Sequence, residues 1–192
     1  MAITGSTVSQ SLQLFAEETS GVIAELSRSS EEKFAEVIAL LNSAESVFFL
    51  GAGRSGLALK MTAMRFMHLG LNVHVVGEVT TPAITSRDVL FVASGSGTTG
   101  VIVRAATTAL AEGANVIALT TAPDSPLGAM ATVTVTIPAA QKLDRGSALS
   151  QQYAGGLFEQ TTVLVGDALF HTMWLDSGLS ADDIWPTHAN LE

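Results

Sequence analysis

The run Ser94-Gly95-Ser96-Gly97-Thr98-Thr99 is where this chain is best equipped for chemistry. Hydroxyls alternate with glycines, and an apolar helical pattern follows at once through Val101, Ile102, Ala105, Ala106, Ala109 and Leu110. A helix start carries unpaired N–H groups. Hydroxyls beside them suit a phosphate monoester held without a metal. The bland reading of any one of these residues is a helix cap. The clustering, and Ser55 on a neighbouring turn, favour the ligand reading, with Ser55, Ser94, Ser96, Thr98 and Thr99 as candidates.

The second stretch is Gly51-Ala52-Gly53-Arg54-Ser55-Gly56, between the apolar run Val47–Leu50 and a helical pattern from Gly56. Gly51, Gly53 and Gly56 satisfy G-x-G-x-x-G, with Glu78 at about the spacing of a dinucleotide fold. A lone glycine pattern is a weak signal, and a dinucleotide fold has no need of the 94–99 hydroxyls. Arg54 either neutralises a phosphate or a developing oxyanion, or forms a surface or interface ion pair. Glu159 opens a long helical pattern and shares its face with Thr162, Val163, Gly166 and Phe170. A carboxylate on such a face is costly to bury unless used or paired, so it is a candidate base. From position alone, a first-turn glutamate complementing the helix dipole is the stronger reading.

The remaining polar groups read more plainly. Asp167 and His171, four apart, suit a surface or interface pair. His68 suits packing near a helix end, and His74 a structural place in a strand. His188 lies in the short tail Trp185–Glu192, where Pro186 prevents a continuing helix. Four scattered histidines, no cysteine and no H-x-x-x-H spacing speak against a metal site. There is no nucleophile elbow and no Walker lysine.

These residues need a scaffold. At 192 residues and 47% hydrophobic, the chain suits one domain with a substantial core. A net charge of −9 excludes a nucleic-acid binder, yet allows local capture of a small phosphorylated ligand. No run is apolar enough to span a membrane, and no secretory leader pattern is present, so a cytoplasmic enzyme is expected. Helical spacing is expected over 7–27, and again after Ser29 or Ser30 as cap, with Phe34, Val37, Ile38 and Leu41 inward. Strands are expected at Val47–Leu50, Leu71–Val76, Val89–Ala93, Asn115–Leu119 and Thr132–Ile137, with helical crossovers and a short helix at Pro126–Met130. That alternation is a parallel sheet covered on both faces. A polar loop is expected over 138–156 and a helix over 157–176. Ligands bind beyond the carboxyl ends of such strands, so loops 51–56, 77–82 and 94–99 are expected to converge.

The two glycine turns, Gly77-Glu78-Val79-Thr80-Thr81-Pro82, Leu157-Phe158-Glu159-Gln160 and the terminal His188-Ala189-Asn190-Leu191-Glu192 together resemble the 6-phospho-3-hexuloisomerase family of the sugar isomerase (SIS) domain superfamily. The resemblance covers nearly the whole chain. It implies an α/β fold: a single SIS domain over 1–192, with a five-stranded parallel sheet flanked by helices in a flavodoxin-like three-layer sandwich. Within it, N-terminal helices occupy 5–43 and a C-terminal helix and tail 157–192. It implies a homo-oligomer, commonly a tetramer, with no cofactor, no metal, no nucleic acid and no membrane. The implied activity interconverts 3-hexulose 6-phosphate and fructose 6-phosphate in the ribulose monophosphate pathway of formaldehyde fixation. The phosphate-binding hydroxyls of the superfamily fall on Ser55, Ser94, Ser96 and Thr99, the general base on Glu159 and the histidine on His188. The glycine turn then serves a sugar phosphate and not a nucleotide. One departure is Tyr153-Ala154-Gly155-Gly156, where the family pattern has a Pro-Met-Gly type lead-in. It bears on how the loop before Glu159 closes the pocket. Alternatives are another sugar-phosphate isomerase of this superfamily or a non-catalytic sugar-phosphate regulator. The regulator reading gives Glu159 and His188 no role.

Overall fold

The computed structural model describes residues 6–140 and 149–191. Residue 5 of the expected N-terminal helices, positions 141–148 of the expected 138–156 loop and Glu192 of the tail lie outside the described residues.

Short runs of three to six residues form strands β1 (Val47–Gly51), β2 (Val73–Val75), β3 (Val89–Ala93), β4 (Asn115–Thr120) and β5 (Val133–Thr136). All pair in parallel, in the order β2-β1-β3-β4-β5. Val47 lies between Val73 and Val89, and Leu119 pairs with both Ala93 and Val135. Successive side chains leave a strand on opposite faces, so each strand feeds two cores. Phe49 and Phe91 sit with Val22, Leu26, Val37, Phe66 and Val165. Phe48, Leu90 and Val92 sit with Ile102, Ala106 and Leu127. Helices α1 (Val8–Ser29), α2 (Glu31–Ser43), α3 (Arg54–His68) and α6 (Gly156–Ser177) thus cover one face, and α4 (Gly100–Ala111) and α5 (Pro126–Met130) the other. This is the expected three-layer arrangement.

Several elements differ from expectation. Helix α3 begins at Arg54, two residues before Gly56, because Gly53 takes the cap position with φ +58°. Strand β2 is shorter than the expected 71–76. Leu71 N–H returns to Phe66 O at 3.1 Å and Glu78 N–H closes a turn on Val75 O at 3.1 Å, so both ends are taken up by turns. Ser30 is the cap residue between α1 and α2, but its side chain makes no cap hydrogen bond. The tail holds an unforeseen helix α7 (Ala181–Ile184), started by a Ser180–Asp183 capping box, and a 3-10 turn at Trp185–Thr187. Asp167 and His171 do not pair. Asp167 faces Arg65 at 3.8 Å, a permanent cation on α3, and the His171 ring meets Trp174 edge-on at 6.0 Å. Val22 is buried at 6% exposure, whereas Leu12 and Ile23 on the same helix stand 62% and 40% exposed. Among the described residues no helix is long and apolar enough to cross a membrane.

Helices α3 and α6 run side by side in the same direction. Arg54 meets Glu159, Thr62 meets Gly166 and Arg65 meets Asp167. A Cβ on Gly166 would stand 2.1 Å from Thr62 Oγ1, so a bare α-carbon is what lets the helices close to this distance. Their starts therefore lie together at the same end of the sheet.

Candidate active site

The strand order reverses at β1, which lies between β2 and β3. In open parallel sheets the crevice at such a switch point is the usual ligand site. A cleft of about 710 Å³ opens there, within the size range of small-molecule sites. Ala52–Ser55 after β1 form one wall and Ser94–Ser96 with Thr99 after β3 a second. Gln152–Gly156 and Phe158–Gln160, at the start of α6, form the third. Phe15 reaches in from α1.

The 94–99 loop is pinned from below. Gly95 O accepts from Thr121 N at 3.1 Å, Thr120 Oγ1 at 3.1 Å and Thr121 Oγ1 at 2.8 Å, all at the end of β4. Gly97 has φ +61°, and a Cβ there would lie 1.8 Å from Ser125 Oγ. Only glycine fits both the backbone angle and the space. The hydroxyls pair among themselves. Ser94 Oγ donates to Thr99 Oγ1 at 3.1 Å, and Ser96 Oγ accepts from Thr98 N at 3.3 Å and Thr98 Oγ1 at 3.1 Å. Ser94 is buried, while Ser96 and Thr99 are half-buried and face the cleft. Thr98 stands outside the cleft lining and acts on Ser96.

The capping reading of this loop does not hold. Thr99 occupies the cap position of α4, yet its side chain makes no cap bond. Side chains cap α1, α5 and α7, through Thr7, Ser125 and Ser180. The three helices whose starts line the cleft, α3, α4 and α6, have no such cap. In α3, the N–H groups of Gly56 and Leu57 return to Gly53 O, which leaves those of Arg54 and Ser55 at the open helix end. In α4, Ile102 and Val103 do the same to Thr99 O. Two helix ends with unspent donors thus meet over one cleft, an arrangement suited to an anion.

Glu159 stands opposite. Its side chain is only 15% exposed, and one carboxylate oxygen accepts from Arg54 Nε. The charge that looked costly to bury is therefore paired. Of the two readings of Arg54, the ion pair is present, with Glu159 as its partner, and the pair lies in the lining of the cleft. Its side chain is 70% exposed, so the guanidinium has further donors directed at the opening.

One expectation about convergence fails. Loop 77–82 does not reach the cleft, because β2 lies outside the β1–β3 pair at the sheet edge. Glu78 accepts from Lys60 Nζ at 2.9 Å and is spent there. The third wall comes instead from 152–156. His188 does not reach the cleft of its own chain. Its ring stacks on His68 at 4.1 Å and on Trp185 at 4.6 Å. His68 ends α3 and Arg54 begins it, roughly 20 Å apart at 1.5 Å rise per residue. Phe15 and Gln152, which line the cleft, and Glu18, discussed below, had no signal as site residues in the sequence. Tyr153 and Phe158 stood in stretches already marked, the lead-in to Glu159 and its own segment.

His68 gives a testable acid response. Burial first, then the charges of His188 and Arg65, hold its pKa below the ordinary histidine value of 6.5. Between that lowered value and 6.5 the unfolded chain binds a proton that the folded chain rejects. Stability from this group is full above about pH 6.5 and declines as pH falls through that window. Melting temperature should rise as pH rises toward about 6.5 and level off above it. His68→Phe, which keeps a stacking ring and removes the titration, should flatten part of the rise. Superimposable profiles would remove His68 as its source.

The SIS domain model matches residues 40–154 of this chain. The chain belongs to the SIS domain family. The match runs from the end of α2, through both glycine turns, to the lead-in of α6. A 3-hexulose-6-phosphate isomerase of Mycobacterium gastri is 47% identical over 99% of this chain and 94% of its own length. One from Bacillus subtilis is 40% identical over 78% of this chain and 82% of its own. Among solved structures, a Methanococcus jannaschii protein with an inferred 3-hexulose-6-phosphate isomerase function superposes with TM-score 0.82 at 26% identity. It covers 95% of this chain and 99% of that one. The SIS domain here thus has relatives of the same length as well as the same fold.

Proposed function

We infer that this chain is a 3-hexulose-6-phosphate isomerase, interconverting 3-hexulose 6-phosphate and fructose 6-phosphate in the ribulose monophosphate pathway. The observation that carries the reading is the half-buried Glu159 carboxylate, paired with Arg54 across a cleft whose other walls are two helix starts with hydroxyls. The near full-length identity to the Mycobacterium gastri isomerase supports it. A coupled assay with 3-hexulose 6-phosphate should show formation of fructose 6-phosphate; its absence would overturn the reading.

The chemistry moves a carbonyl from C3 to C2. In our reading Glu159 takes the C2 proton, and the electron pair shifts through C2–C3 to the C3 oxygen, giving an enediolate. Arg54 stands beside the developing charge. A proton passes from the C2 oxygen to the C3 oxygen. Glu159 then returns its proton to C3 as the C2 carbonyl forms. His188 is the proposed oxygen shuttle, and it opens the ring if the substrate cyclises. Since it lies at the far end of α3 in its own chain, the proposal places it in a neighbouring subunit's cleft. That requires an oligomer. Leu12, Leu57, Met61 and Met64, all more than half exposed, offer apolar surface for one, with a tetramer as the family resemblance implies.

Ser55, Ser94, Ser96 and Thr99, with the adjoining amides, are the proposed phosphate seat, and Thr98 its support through Ser96. A hydrogen bond to a charged group contributes about 1.5–3 kcal/mol, so Ser96→Ala should raise KM roughly 10- to 100-fold. Unchanged kinetics in both Ser94→Ala and Ser96→Ala would remove the assignment.

A further inference from the structure

Glu18 lies on α1, one turn beyond Phe15, and its carboxylate is the meeting point of three donors from one distant segment. Ser150 Oγ donates at 2.7 Å, Gln151 N at 2.7 Å and Gln152 Nε2 at 3.1 Å. Ser150 Oγ also accepts from Gln152 N at 3.0 Å, so the segment is folded around this one acid. The contact extends into α6. A Cβ on Gly156 would lie 3.1 Å from Gln152 Oε1, so the amide that holds Glu18 also rests on the first residue of the helix.

Between clamp and base the chain takes a demanding path. Ala154 has φ +43° and Gly155 φ +87°, both left-handed, and the first of these is a residue that seldom adopts it. Gly156 N–H closes on Tyr153 O at 3.1 Å, and Glu159 N–H on Gly155 O at 3.1 Å. The start of α6 has no side-chain cap of its own. Its entry angle is therefore set from outside, and the Glu18 carboxylate, with three donors from 150–152, is the tie that holds the preceding segment.

We propose that Glu18 is a positioning residue for the isomerase reaction: through Ser150, Gln151 and Gln152 it fixes the entry of α6 and so the aim of Glu159 at the substrate. The inference rests on the isomerase reading of the Glu159 site. It also explains why a chain with Tyr153-Ala154-Gly155-Gly156 before its base keeps a defined third wall. An ionised carboxylate accepts only, which matches three donors. A glutamine at position 18 has the same size and nearly the same helix propensity, but turns two donors of its own toward them.

The test compares Glu18→Gln and Glu18→Ala with the full-length parent, by steady-state kinetics and by amide hydrogen exchange over 150–159 without substrate. Misplacing a reacting group by about 1 Å costs about 100-fold, so kcat should fall at least tenfold in both variants. KM should stay within about threefold, since the phosphate seat lies on other loops. Exchange at 150–159 should accelerate. A merely helix-supporting residue gives the opposite pattern, with Gln restoring kcat. Restoration by Gln, kcat within twofold of the parent, or unchanged exchange would each overturn the proposal. If Glu18 variants do not fold, Ser150→Ala, which leaves α1 intact and lies outside the cleft lining, carries the same readouts. A parent without turnover on 3-hexulose 6-phosphate would sink the isomerase reading and the positioning claim with it. The exchange data would still decide whether the clamp orders α6.

Discussion

Glu159→Gln should lower kcat by about 100- to 10,000-fold while fructose 6-phosphate still binds. A positioned general base contributes about that factor, and the amide keeps the shape of the side chain while losing its basicity. The hydroxyl loop and both open helix ends are untouched by the change, so ligand-induced stabilisation in a melting experiment should persist. Arg54 loses its ionic partner in this variant and is freed toward the ligand. Product affinity is therefore expected to hold or increase. Normal turnover by Glu159→Gln would end the assignment. Lost turnover together with lost ligand stabilisation would point to a structural role for the Arg54–Glu159 pair.

Two inactive variants should regain activity when combined. If Glu159 of one subunit works with His188 of another, then co-expressed Glu159→Gln and His188→Ala chains assort into some clefts with both native groups. Random one-to-one mixing gives about a quarter of the clefts. Each variant alone gives none. If His188 instead only docks the tail onto His68, His188→Ala is active by itself and the mixture holds no surprise. Two dead variants that stay dead when mixed, or a chain that light scattering shows to be monomeric, would confine the chemistry to one subunit and discard the composite site.

What could be read from the sequence was what is local. The Gly51–Gly56 turn and the Ser94–Thr99 loop each join a strand to the helix that follows, so composition and spacing held their geometry. Strand number followed from apolar runs in the same way. Strand order did not, because periodicity carries no information about which strands are neighbours. Loop 77–82 was therefore expected at the cleft and stands at the sheet edge instead. Arg54 and Glu159 are 105 positions apart, and only the side-by-side packing of α3 and α6 brings them together. Glu18 and Ser150 are separated by 132. An exposed-looking glutamate in the middle of α1 gives no sign of a partner that far away. Glu159 was visible as an anomaly, a carboxylate on a small and apolar face. Arg54 was visible too, beside Ser55 in the glycine turn, but nothing in the sequence named Glu159 as its ion-pair partner.

Consider the chain as it leaves the ribosome. β1 is made first of the strands, yet it belongs inside the sheet, paired with β3, which is made 42 positions later at Val89 against Val47. All five strands and both hydroxyl-bearing loops exist before the first residue of α6 has been added. At that moment the face formed by α1, α2 and α3 lacks one of its four helices, and Val165, Leu169 and Met173, which finish that core, are still to come. A nascent SIS domain is thus able to form both hydroxyl-bearing loops before Glu159 is made, and it exposes an apolar face until α6 has been added. Low contact order favours quick folding, and this topology has little of it. Docking of α6 completes the core and brings Glu159 to Arg54 in one event. A chain in which α6 fails to dock therefore loses the Arg54–Glu159 pair before it loses its sheet.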